Sequence, residues 1–151
     1  MISLLASAED GGDLAADDLV ATSGLLLVAG FETTVNLIGN TVLALLDRPD
    51  QWQALVEDPG LAAAAVEETL RWDPPVQRTA RCAQQDVELD GITVRKGEFV
   101  VTLLGAANRD PEVFERPDDF LVERAPNPHQ AFGVGVHFCL GAPLARMELV
   151  E

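Results

Sequence analysis

The longest apolar run of the chain, Leu19–Leu46, reads LVATSGLLLVAGFETTVNLIGNTVLALL and carries one charge, Glu32, near its middle. Its length alone would suit a membrane span of about 20 residues. A charge at mid-bilayer costs on the order of 3 kcal/mol, and Thr33, Thr34, Asn36 and Asn40 add polar groups beside it. The run therefore predicts a long helix, apolar on every side, buried at the centre of a soluble domain. Asp17 and Asp18 are expected to cap it. Arg48-Pro49-Asp50 ends it and opens a second helix to about Glu57, and Asp58-Pro59-Gly60 is another break. Leu61–Trp72, LAAAAVEETLRW, is built from strong helix formers and stops at Asp73-Pro74-Pro75.

From Thr79 to Thr102 the period falls to two. The stretches TARCA, DVEL, ITVR and EFVVT, with turn pairs at Asp90-Gly91 and Lys96-Gly97, predict a small antiparallel sheet. Residues 105–131 hold turn signals and only brief helices, and so long an irregular stretch points to function. The last segment, AFGVGVHFCLGAPLARMELVE, is a glycine-rich loop running into a helix. The pattern as a whole predicts a mainly α fold with a small antiparallel β-sheet.

Composition narrows the function. In 151 residues, 25 acidic side chains against ten basic ones give a net charge of −15. Nucleic acid and anionic membranes would be repelled. Residues 1–70 contain a single basic side chain, Arg48, so nearly all arginine lies in the second half. Two cysteines, Cys82 and Cys139, make neither a disulfide framework nor a zinc site. Cys82, in an alternating strand, reads as a small core residue. The start, MISLLASAEDGG, lacks the basic and apolar regions of a secretory signal, which points to the cytoplasm.

Candidate chemistry gathers in the last loop. Gly133 and Gly135 permit tight turns, and Gly141 lets a flat group approach the backbone. Cys139 stands directly before a helix, where peptide N–H groups stabilise a thiolate. Such a thiolate is a metal ligand or a nucleophile. In an extended segment His137, two residues away, would point to the opposite side and could not act as its base. On these residues an axial ligand to a cofactor metal and a buried structural thiol both remain open.

Phe132-Gly133-Val134-Gly135-Val136-His137-Phe138-Cys139-Leu140-Gly141 resembles the haem-binding signature of the cytochrome P450 family, the haem-thiolate monooxygenases, in its soluble bacterial form. Ala29-Gly30-Phe31-Glu32-Thr33-Thr34 is similar to the family's oxygen-binding kink, and Glu68-Thr69-Leu70-Arg71 to its Glu-x-x-Arg motif. The three occur in the family's order and span essentially all of residues 1–151, which on this resemblance form the C-terminal portion of the fold without its N-terminal half.

The resemblance implies haem b (iron protoporphyrin IX) with Cys139 as axial ligand and Phe132 shielding the sulfur. It implies His137 and Arg81 on the propionates, with Arg78 a competitor to Arg81. Ala29 and Gly30 would make room for dioxygen, Thr33 would hold it, and Glu32 would relay protons. Leu25, Val28, Val76 and Gln77 would line a pocket for a small apolar substrate. Electrons would come from a ferredoxin-like donor and an NAD(P)H reductase docking on the cysteine side. Glu68 and Arg71 would be a structural brace. Asp119 stands where the family's third brace arginine is expected, so the triad is incomplete or Arg124 substitutes. The implied activity is insertion of one atom of O2 into an organic substrate. Alternatives are a haem-binding remnant without oxygenase activity and a haem-thiolate isomerase or peroxygenase; Glu32 with Thr33 argues against the second. Alone, these 151 residues are expected neither to fold cooperatively nor to catalyse, because too few elements surround the apolar helix.

Overall fold

The structure is a computed structural model that describes residues 2–150. Its elements are α1 (Ile2–Asp10), α2 (Ala16–Leu46), α3 (Pro49–Glu57), α4 (Ala62–Trp72), β1 (Thr79–Cys82), β2 (Val87–Leu89), β3 (Ile92–Val94), β4 (Phe99–Thr102), α5 (Leu104–Ala107) and α6 (Ala142–Val150). Helices dominate, with antiparallel pairing confined to the middle of the chain.

The breaks lie where Pro and Gly require them. Pro49 occupies the first turn of α3, where a missing N–H costs nothing. Asp58 accepts a hydrogen bond from Gly60 N and starts a short 3-10 turn that leads into α4. At the start of α2 the helix boundary is Ala15, with no side-chain cap. Asp17 and Asp18 instead sit within the first turn, where their charge complements the helix dipole. The helix α1 was not anticipated from its residues.

The alternating region forms two two-stranded ladders rather than one sheet. β2 and β3 make a hairpin closed at Asp90-Gly91, and β1 pairs with β4 around it, with Arg81 opposite Val100. Among the described residues no further layer covers β1, so Cys82 is exposed, and its expected place in the core is corrected.

Two apolar clusters flank α4. Ala44 and Leu45 of α2 meet Ala65, Phe120 and Val122 on one side. On the other, Leu37 meets Val66 and Leu70, with Ala131, Phe132 and Leu149 against them. Full burial of each such Leu or Val is worth about 1.5–3 kcal/mol. The buried α2 residues Leu37, Ala44 and Leu45 lie seven and eight apart, hence on one stripe.

That stripe is narrow. Leu25, Leu27 and Phe31 are 68–71% exposed. α2 is long and apolar enough to cross a membrane by length and composition, yet only 6% of its most apolar window is buried. Among the described residues too few elements surround the helix to bury it, as expected from its all-round apolar surface in so short a stretch. α1, α3, α4 and α6 pack against it and, among the described residues, leave the rest uncovered.

Candidate functional site

One cavity of about 280 Å3 opens between α2, α4, β1 and the loop before α6. Leu37 and Leu70 form its floor, and Pro75, Val76 and Leu104 contribute further apolar wall. Ala29 and Thr33 enter from α2, Arg81 from β1, and Phe132, Gly133, His137 and Cys139 from the glycine-rich loop.

Helix geometry decides which α2 residues arrive. Ala29, Thr33 and Leu37 are four apart and share a face. Glu32 is one residue, about 100°, off that face; Val28 is about 140° off and Leu25 about 80°. Leu25, Val28, Gly30 and Glu32 are exposed and do not line the cavity. The Thr33 hydroxyl donates to the Ala29 carbonyl at 2.7 Å, which leaves its oxygen lone pairs free to accept.

The loop is shaped by two positive-φ glycines, Gly133 (φ 70°) and Gly135 (φ 68°), a conformation that a side chain would strain. A 3-10 turn at Gly135–His137 follows. Because that turn replaces an extended segment, His137 and Cys139 face the same cavity, contrary to the opposite orientation expected from extended geometry. Cys139 N donates to Phe132 O at 2.9 Å and closes the loop just ahead of α6. A Cβ at Gly141 would lie 3.9 Å from Cys139 Sγ, ordinary contact distance, so the chain itself does not demand glycine there.

Arg81 lines the cavity and Arg78 does not. Gln77 turns the other way: its amide donates to Asp73 Oδ1 and the Pro74 carbonyl, and Gly105 leaves it room. Of the four residues expected against substrate, Val76 alone reaches the cavity wall.

Behind the cavity, α4 presents two consecutive acids to two networks. Glu68 and Arg71 are fully buried and joined by two 2.8 Å bonds. Arg71 spends its other N–H groups on the carbonyls of Asn108, Pro117 and Asp119. Arg124 Nε lies 3.0–3.1 Å from both Glu68 oxygens and takes the third position, while Asp119 pairs with Arg116 at the surface. Leu121 N and Asn127 also donate to Glu68.

The second network was not foreseen. Glu67 receives Arg146 through two bonds of 2.6 and 3.0 Å, and His129 Nε2 lies 2.9 Å away. Ala131 N donates to His129 Nδ1, which leaves the ring proton on Nε2, directed at Glu67. Burial raises the Glu67 pKa, but the hydrogen bonds from His129 and Arg146 and the guanidinium charge outweigh it and hold the carboxyl at about 2. Nothing local to Glu67 advertised these partners, which lie 62 and 79 residues away.

A haem protein needs one iron ligand from the chain, cations for two carboxylates and an apolar slot. Cys139 offers a sulfur to the same cavity to which Arg81 and His137 offer their cationic or hydrogen-bonding heads, between apolar walls. Among the described residues no three His, Cys, Asp or Glu side chains gather to hold a metal by themselves. The donor set fits a group that brings its own equatorial ligands.

Comparison with known proteins agrees. The family model for cytochrome P450 matches residues 1–150. The biotin biosynthesis cytochrome P450 of Bacillus subtilis is 51% identical over 98% of this chain and 38% of its own length. Vitamin D(3) 25-hydroxylase of Pseudonocardia autotrophica is 53% identical over 97% of this chain and 37% of its own. Among solved structures, ligand-free CYP164A2 of Mycobacterium smegmatis superposes with a TM-score of 0.93 at 51% identity, over 98% of this chain and 38% of that one. The chain thus spans a little over a third of the length of these relatives.

Proposed function

The chain belongs to the cytochrome P450 family, and we propose that it contributes the cysteine-bearing part of a haem-thiolate monooxygenase acting on a small apolar organic molecule. The observation that supports this most is one cavity with Cys139 on one wall and Thr33 on another, apolar between them. Haem b, when bound, supplies the redox chemistry by which O2, two electrons and two protons turn a C–H bond into C–OH and release water.

The chain's own residues hold and serve that group. Cys139, just ahead of α6, would give its sulfur to the haem iron. Phe132 shields the sulfur from water, which sets the local dielectric. Arg81 and His137 pair with the propionate carboxylates. Gly133 and Gly141 keep backbone close and side chains clear. Ala29 leaves α2 thin beside the cavity, and Gly30 would serve the same end only from the neighbouring face. Thr33, with its lone pairs turned from the Ala29 bond, accepts and passes a proton, and Glu32 exchanges protons with solvent at the outer end of that path. Val76 contacts substrate directly. Leu25, Val28 and Gln77 reach it only after rearrangement.

The electron donor is a ferredoxin-like protein, itself reduced through an NAD(P)H reductase, that docks over the exposed loop of Val136 and Leu140 in the cytoplasm. The relatives' named activities differ, so kinship by itself leaves the substrate at the level of a small apolar molecule. The proposal is tested in the haem-loaded protein with a redox partner supplied. Thr33→Ala should keep NAD(P)H and O2 consumption and divert the electrons to hydrogen peroxide, and Glu32→Gln should slow turnover. Full coupling to product in Thr33→Ala would show the hydroxyl to be packing alone.

A further inference from the structure

Phe132 is held from behind. The Arg146 guanidinium carbon lies 4.7 Å from the centre of its ring, within the range of a cation–π contact. His129 and Phe138 approach the same ring, centroids 6.0 and 6.3 Å away. Phe132 in turn lines the cysteine cavity, and its carbonyl accepts the Cys139 N–H.

Arg146 does not hover there by chance. Its two bonds to Glu67 clamp the guanidinium in a planar, bidentate fork, a geometry that lysine cannot reproduce. Glu67 is itself fixed by His129, whose side chain is 3% exposed. The carboxylate lies on α4 and the guanidinium is the partner that stacks on the ring, so the pair turns its positive end toward the cavity. The Glu67 bond, opposed by burial, raises the Arg146 pKa, and the Cys139 charge adds to the rise. Positive charge near an iron–sulfur bond favours the state with one more electron.

We propose that Arg146, clamped by Glu67 and stacked on Phe132, is a positioning residue for Cys139 that fixes the ring beside the sulfur and makes reduction of the site easier. This rests on the haem-thiolate reading above. None of the motifs that identify the family requires this pair, and the network links three segments: α4, the loop before the cysteine, and α6.

The test is the midpoint potential of the Fe(III)/Fe(II) couple in the haem-loaded protein, read alongside the ferrous–carbonyl spectrum. Arg146→Gln should make reduction about tenfold less favourable, a shift of about 59 mV to more negative potential for one electron. Arg146→Lys, which keeps the charge but loses the fork, should recover only part of that shift. An unchanged potential in Arg146→Gln with the thiolate spectrum intact overturns the proposal and leaves the haem-thiolate reading standing. Absence of a thiolate spectrum in the unmodified protein would instead remove the reading on which it rests. Should Arg146→Gln fail to accumulate folded, Arg146→His carries the test, since imidazole titrates near pH 6.5. Its potential should fall between about pH 6 and 8 by more than that of the unmodified protein, and an equal drift in both overturns the proposal.

Discussion

The brace around Glu68 and the cavity in front of Cys139 lie on two sides of α4, and they are finished to different degrees. All five N–H groups of Arg71 are spent on Glu68 and three carbonyls, and both residues are wholly buried. Among the described residues the one buried side-chain polar atom without a partner is Asn127 Oδ1, at the margin of that network. The cavity, by contrast, keeps Cys139, His137 and Arg81 exposed. A closed network has one arrangement and resists change. An exposed set of donors on a firm backing can receive a ligand without first breaking bonds to itself. The brace is thus scaffold, and the cavity is where chemistry can occur.

The contrast can be broken most forcefully at Arg71. Arg71→Leu leaves the Glu68 carboxylate buried with fewer partners, and removing one member of a buried ion pair costs about 3–5 kcal/mol. Chemical unfolding of the haem-loaded protein should show that loss; a change below 1 kcal/mol, by that scale, would mean the brace is not structural. Leu37→Ala, at the floor shared by cavity and core, should cost about 2–4 kcal/mol through lost packing and a new void. Its effect should fall on stability and substrate affinity together, unlike that of Arg71→Leu.

The Glu67 network predicts a milder, pH-dependent effect. The folded-state pKa of about 2 lies below the ordinary 4.5. A depressed carboxyl pKa gives stability that is fully present above 4.5 and is lost as pH falls toward 2. Unfolding measured down that range should lose part of its pH slope in Glu67→Gln, and an identical slope in both proteins would contradict the assignment. Least of all, Leu27→Ser on the exposed face of α2 should change stability by no more than about 0.5 kcal/mol if water covers that face. A cost above about 1.5 kcal/mol would show that protein covers it in the assembled molecule.

Much of this was legible beforehand where the signal is local. Pro49, Asp58-Pro59-Gly60 and Asp73-Pro74 marked the helix boundaries because proline and glycine act on the backbone at their own position. The cysteine loop was legible because its glycines and Cys139 are consecutive. Pairing across distance was not. Nothing in the alternation of residues 79–102 says that β1 bonds β4 around a separate hairpin, or that Cys82 then lies at the surface. Arg124 could be named only as a possible substitute, since its bond to Glu68 spans 56 residues. Arg146 and His129 went unseen for the same reason. On α2, the motif suggested Ala29, Gly30, Glu32 and Thr33, and the resemblance added Leu25 and Val28; of these, helical phase brings Ala29 and Thr33 to the cavity.

The most direct measurement is the ferrous–carbonyl spectrum of the haem-loaded protein before and after Cys139→His. If Cys139 is the axial ligand of the cavity, the unmodified protein shows the red-shifted Soret band of a thiolate ligand, and the variant binds haem but loses that band. The same thiolate band in both proteins would contradict the account, because the sulfur on the iron would then come from elsewhere.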